Sequence, residues 1–207
     1  MQINTNRWNR FRYALYSPLY DFVVGSFTQP MRKKSLANLH LPPGSKILLI
    51  GAGTGLDLPY LPEHLAVTAI DITPAMLHKL QRKAKRLNLQ VETHLMDGHH
   101  LHFPDAIFDA VVLHFIIAVI PDPVACIREA ERVLKPGGTV FILDKFLPDH
   151  AQPNLFRRIM NPLANLVATD INRRAGEILA KTNLVQIAEV PMAFNGTFKS
   201  VKAKKPE

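Results

Sequence analysis

The chain is predicted to be an α/β protein: a doubly wound, mostly parallel sheet of seven strands, closed by an antiparallel C-terminal hairpin and lidded by N-terminal helices. Three observations predict it. Short apolar runs alternate with helix-length stretches between residues 46 and 143. The first run stops at glycines spaced G-x-G-x-G (Gly51, Gly53, Gly55), and the second ends on a carboxylate, Asp71. The last third carries two β-type runs joined by Phe194-Asn195-Gly196, a hairpin signal.

The elements follow in order. Residues 5 to 17 read as an amphipathic helix, with Trp8, Phe11, Leu15 and Leu19 at three- or four-residue steps and Tyr13, Tyr16 and Tyr20 as a neighbouring stripe. Pro18 marks a break or kink. A second helix covers Thr28 to Leu39, and LPPGS (41–45) turns the chain into the first strand. Strands are expected at Lys46–Ile50, Ala66–Ile70, Val91–Met96, Phe108–His114 and Thr139–Leu143. Helices are expected at Asp57–Leu61, Pro74–Leu87 and Pro123–Leu134. Thr73 is the expected N-cap of the second of these, with Pro74 at the first helical position. In LKPGG the helix is expected to stop at Pro136, with two glycines reversing the chain into a strand. Residues 153 to 181 look helical; Leu184–Met192 and Thr197–Lys202 form the closing pair. The expected division is residues 1–40 as N-terminal helices for lid or membrane contact, and residues 41–207 as a cofactor-binding domain.

Length and composition fit one soluble globular domain: 207 residues, 47% of them hydrophobic. A single cysteine, Cys126, excludes an internal disulfide framework and reads as a packing residue. The arginines near the N-terminus are followed by no long apolar stretch, so no signal peptide is read there, and no run is long enough to span a bilayer. The expected location is the cytoplasm, with peripheral contact on the inner membrane face. The net charge is +8. The first 40 residues hold six basic side chains (Arg7, Arg10, Arg12, Arg32, Lys33, Lys34) against one acid, Asp21. Such a surface suits an anionic partner, and arginines beside Trp8, Phe11 and Leu15 suit an interfacial helix on anionic lipid. No nucleic-acid motif appears, so no nucleic acid is expected. The oligomeric state is not legible. His99, His100 and His102 lack the spacing of a zinc site, so no metal is expected.

The glycine string after a buried strand is a nucleotide-type cofactor signal. Glycine lets the backbone turn tightly and lets a ligand touch the main chain, and an acid at the end of the second strand accepts from ribose hydroxyls. The dinucleotide pattern G-x-G-x-x-G would need glycine where Leu56 stands. The observed spacing therefore fits S-adenosylmethionine (SAM) better than NAD.

With GAGTG (51–55), Asp71, LMDG (95–98), FPDAIFDAVV (103–112) and EAERVLKPGGTV (129–140), the chain resembles the class I SAM-dependent methyltransferases over residues 46 to 143. The segment from Tyr16 to Asp21 and the short length look like bacterial phosphatidylethanolamine N-methyltransferases. The ubiquinone and menaquinone methyltransferases are similar too. The resemblance implies SAM as cofactor, a Rossmann-like fold, and a phospholipid or small-molecule substrate. It implies that Gly51, Gly53 and Gly55 approach the methionine portion, Asp71 binds ribose, Ile72 and Met76 flank adenine, and Asp97 with Gly98 meets the adenine amino group. Tyr20 and His114 are expected to contact the cofactor, and Tyr16, Tyr20 and His114 to serve the catalytic step. In one departure, Leu49 stands where these enzymes carry an acid that helps hold the methionine ammonium; Asp57 is the candidate to compensate. The expected reaction is N-methylation of the phosphatidylethanolamine headgroup. C- or O-methylation of a quinone precursor or other small molecule is the runner-up, and a NAD-linked oxidoreductase or a non-catalytic lipid-binding protein ranks below.

Overall fold

The computed structural model describes residue 5 and residues 25–147, 170, 172–194 and 196–207. The expected first helix, with Tyr16 and Tyr20, and most of the helical stretch 153–181 lie outside the described residues.

Seven strands form one sheet in the order β3-β2-β1-β4-β5-β7-β6. They are β1 (Lys46–Ile50), β2 (Ala66–Asp71), β3 (Val91–Leu95), β4 (Phe108–His114), β5 (Leu134–Lys145), β6 (Val185–Ala193) and β7 (Phe198–Lys204). β1 to β5 pair in parallel, and β7 inserts antiparallel between β5 and β6. The strand order reverses at β1, whose neighbours are β2 and β4. A crevice opens at such a switch point, outside the carboxyl ends of the strands. Ile50, Asp71 and His114 end three adjacent strands there.

Side-chain alternation splits the core into two layers. Ile47 and Leu49 of β1, with Ala110, Val112 and Phe141, face α1 (Ser26–Leu36) and α2 (Pro74–Arg86). Leu48 and Ile50, with Val111, Leu113 and Ile142, face α3 (Pro123–Val133) and α4 (Ala175–Leu179). Strands buried on both faces explain the near-continuous apolar runs KILLI and AVVL.

Several boundaries differ from expectation. Asp57–Leu61 is not an α-helix; only a 3-10 turn, Leu58–Tyr60, forms there. α3 stops at Val133, and Leu134 is already extended and paired with Phe108, so β5 begins before the two glycines. Lys135 precedes Pro136 and is disfavoured from helical geometry, and the proline offers no N–H, so the helix ends sooner. Thr73 occupies the N-cap of α2, but its hydroxyl makes no capping bond; its N–H serves Asp71 instead. Asp122 is a working cap, accepting from the Ala125 N–H at 3.0 Å. Among the described residues, no helix is long and apolar enough to cross a membrane.

Candidate active site

The turn after β1 is shaped by its glycines. Gly51 and Gly53 hold φ of 65° and 55°, in the left-handed region where a side chain is strained. A Cβ on Gly51 would lie 2.7 Å from Cδ1 of Ile116, whereas on Gly53 it would meet nothing within 4 Å. Gly51 therefore lets the turn close on the loop after β4, and Gly53 leaves open space above the backbone. Gly55 lines neither hollow described below. Its φ is 76°, and a Cβ there would run into Leu58 at 2.9 Å.

Asp71 ties this turn to the second strand. Its Oδ2 accepts from the Gly53 N–H at 2.9 Å and its Oδ1 from the Thr73 N–H at 2.8 Å. Burial pushes the carboxyl above its usual range, and the two backbone donors pull it partly back. Between and beside these groups lie two adjoining hollows of about 470 and 460 Å³. Gly51, Asp71, Ile116 and Val119 line both. The first is completed by Arg32, Ala52, Gly53, Thr54, Leu56, Met76, His114 and Phe115; the second by Ile50, Ile72, Met96, Asp97, Gly98 and Ile120. The shared wall makes them one cleft with two ends. Ile72, Asp97 and Gly98 thus gather at one end as expected from the sequence. Met76 stands at the other, beside the glycine turn.

Asp97 is positioned by His99. The carboxylate accepts from the His99 N–H at 3.0 Å and faces Nδ1 at 2.6 Å. His99 Nε2 accepts from the Asp122 N–H at 3.1 Å, so the ring's proton sits on Nδ1 and donates to Asp97. Burial would raise the Asp97 carboxyl, but the His99 hydrogen bonds outweigh it and hold it low. His99 therefore links the Asp97 turn to the start of α3. The next loop is clamped from α3 as well: Glu129 accepts from the Leu101 N–H, and Arg132 donates to the Leu101 and Phe103 carbonyls. This gives the EAERVLKPGG motif a structural job. Among the described residues, no group of three or more His, Cys, Asp or Glu side chains could hold a metal ion. Burial pushes the Cys126 thiol far up, as for an inert core residue.

A buried polar chain that sequence reasoning missed backs the first hollow. Arg32 donates to Asp57 Oδ2 at 2.6 Å, and Asp57 Oδ1 faces His114 Nδ1 at 2.7 Å. A carboxylate only accepts, so His114 carries its proton on Nδ1. Nε2 meets the Ser35 hydroxyl at 3.1 Å, and Ser35 meets Ser200 at 2.9 Å. Burial would raise the Asp57 carboxyl, but Arg32 and then His114 outweigh it and hold it far below the usual range. The His114 side chain is 0% exposed and both ring nitrogens are engaged. It holds Asp57, rather than presenting a free nitrogen to the cleft. Asp57 in turn holds Arg32, whose guanidinium also lies 4.7 Å from the Phe115 ring centre. Leu49 is buried in the helix-side core, so no acid projects from that strand position. Both Asp57 oxygens are taken, and Arg32 lines the first hollow as a cation, opposite in charge to Asp71 on the same wall.

Residues 48–142 match a family described as methyltransferase domain. Over 182 residues the chain is 30% identical to a phosphatidylethanolamine N-methyltransferase of Cereibacter sphaeroides, covering 87% of this chain and 89% of that protein. Over 155 residues it is 31% identical to a demethylmenaquinone methyltransferase of Tropheryma whipplei (strain Twist), covering 72% of this chain and 64% of that enzyme. In fold it is similar to the crystal structure of the cyclase SpnF, with a TM-score of 0.82, 17% identity, and coverage of 98% of this chain and 97% of that one.

Proposed function

The chain belongs to the class I SAM-dependent methyltransferases, and on that footing we propose that it methylates the primary amine of phosphatidylethanolamine at a membrane surface. One observation carries the substrate: the similarity to the phosphatidylethanolamine N-methyltransferase extends over 87% of the chain, well beyond the cofactor motifs. The net charge of +8 suits work at an anionic lipid surface.

The cleft fits SAM. Gly53 leaves room at the main chain that any side chain would fill, and a carboxylate stands at each of two points, Asp71 and Asp97, on the wall of the second hollow. In this reading Gly51 and Gly53 line the methionine end with Met76, and Asp71 accepts from the ribose hydroxyls. Ile72 flanks adenine, and Asp97 with Gly98 meets its amino group. Arg32 stands where the methionine carboxylate would need a cation, which answers the loss of the acid at Leu49 with a contact to the other charged end. When bound, SAM supplies a methyl group already activated by its sulfonium. The protein's work is then to bind, align and exclude water. Ile116, Val119 and Phe115 give the cleft its apolar wall. The attacking amine must be unprotonated; Tyr16 and Tyr20 remain the proposed side chains at the acceptor. His114 acts as a positioning residue through Asp57 and Arg32.

The test uses purified protein, radiolabelled SAM and liposomes of phosphatidylethanolamine with phosphatidylglycerol, followed by chromatography of the extracted lipids. Label in mono-, di- or trimethylated phosphatidylethanolamine is the expected result. Unlabelled lipid, with SAM binding established by calorimetry, would overturn the assignment. The second reading, methylation of a quinone precursor, is favoured by the 31% identity to the demethylmenaquinone methyltransferase. It would show as label in a demethylmenaquinone substrate instead.

A further inference from the structure

A ridge of four phenylalanines leads from the surface into the cleft. At its outer end, Phe194 in the β6–β7 turn is 65% exposed and Phe27 on α1 is 46% exposed. Their ring centres lie 5.7 Å apart. Phe198 sits 5.7 Å from Phe27 and 5.9 Å from Phe194, and 6.1 Å from Phe115. Phe115 lines the first hollow together with Gly51, Gly53 and Asp71. The ridge is therefore continuous with the proposed cofactor cleft, at the carboxyl edge of the parallel strands.

Core burial does not explain the two outer rings. A phenylalanine exposed to the extent of Phe27 or Phe194 gives up much of the free energy it would gain by burial. Aromatic side chains clustered at one edge are what a protein presents to a bilayer interface, where apolar rings enter the headgroup boundary. Charge supports the same occupant. Lys34 lies seven residues after Phe27 on α1, which returns it to the same helical stripe about 10 Å away. Lys33 is beside it, and both are exposed. Cations next to an apolar ridge match a layer of acyl chains capped by anionic phosphates.

We propose that the Phe27–Phe194–Phe198 ridge seats the enzyme on a phospholipid bilayer, with Phe115 as its inner end, so that a lipid headgroup reaches the cleft without the lipid leaving the membrane. The identity of the surface rests on the phospholipid reading above. Substrate capture is then two-dimensional, and the ridge rather than the cleft governs access to vesicle-borne acceptor.

The experiment is flotation of the full chain with vesicles of phosphatidylcholine and phosphatidylglycerol, which contain no phosphatidylethanolamine to methylate. The variants are Phe194→Ser, Phe27→Ser and the pair. Both positions are exposed, and an unchanged melting temperature and SAM affinity would verify that the fold and cleft persist. The wild type should float with the vesicles, and the double variant should partition at least about tenfold more weakly. Lys34→Glu should weaken binding to anionic vesicles further and leave neutral ones unaffected. Variants that float like the wild type would overturn the proposal. So would a wild-type dimer that the substitutions dissolve without lipid, because the ridge would then be covered by a second copy. A wild type that floats by its ridge but never methylates phosphatidylethanolamine would keep the seat and sink the substrate assignment. Methylation of vesicle lipid undiminished in the double variant would do the reverse.

Discussion

Asp57→Asn tests the buried chain behind the cleft. The Arg32–Asp57 contact is 2.6 Å, with side chains only 5% and 6% exposed. Asparagine keeps the volume but removes the charge, and leaves a nearly buried guanidinium without its carboxylate. Breaking a buried pair from one side costs about 3–5 kcal/mol. The amide oxygen can still accept one bond, so the lower end, about 3 kcal/mol, is expected. For a chain of this size that is a fall in melting temperature of roughly 6–12 °C. The assay is thermal unfolding followed by circular dichroism, repeated on Arg32→Met and on the double variant. Removing both charges should cost less than the sum of the single changes by about 1.5 kcal/mol or more. The acid limb carries a second signature. The folded-state pKa of Asp57 is depressed, so its contribution is fully present above the unfolded value of about 3.9 and is lost as pH falls below it. Asp71 and Asp144 are raised by burial and act with the opposite sign, so the informative curve is the wild type minus Asp57→Asn. That difference should shrink progressively below about pH 4. A variant melting within about 2 °C of the wild type, or a difference flat across the acid range, would refute the reasoning.

Three further predictions concern the glycine turn and its carboxylate. Gly53→Ala has free space in the structure but a φ of 55°. It should lose about 1–2 kcal/mol of stability and a disproportionate share of SAM affinity by calorimetry; equal losses would mean the space is not a ligand's. Gly51→Ala adds a collision with Ile116 at 2.7 Å, so its melting temperature should fall below that of Gly53→Ala, and the reverse order would contradict the packing described. Asp71→Asn turns an amide nitrogen toward one of two backbone donors. SAM affinity should fall about 10- to 100-fold, at roughly 1.4 kcal/mol per factor of ten. Unchanged affinity would remove Asp71 from the site.

The sheet was legible because burial on both faces leaves a direct trace in composition. KILLI, AVTAI and AVVL are almost wholly apolar, and each became a parallel strand. The glycine string and Asp71 were legible for a related reason: backbone geometry restricts the residue types that can occupy a left-handed turn. Helix ends were less so. Pro136 limits the helix locally, but that Leu134 leaves it to pair with Phe108 is decided across the sheet. The His99 ring looked like one of several loop histidines, and only the approach of Asp122 gave its Nε2 a partner.

Residue pattern alone therefore determined the fold class, the place of the glycine turn and Asp71 at the end of the second strand, since period, glycine spacing and strand ends are local properties of the chain; Asp97 was reached through the family resemblance. Tertiary structure alone decided what stands behind the cleft. Arg32 meets Asp57 across 25 positions, Asp57 meets His114 across 57, and His114 meets Ser35 across 79. The phenylalanine ridge likewise gathers α1, the end of β4 and the β6–β7 turn. Such contacts have no sequence period, because they are set by how separate elements pack on the two faces and the edge of one sheet.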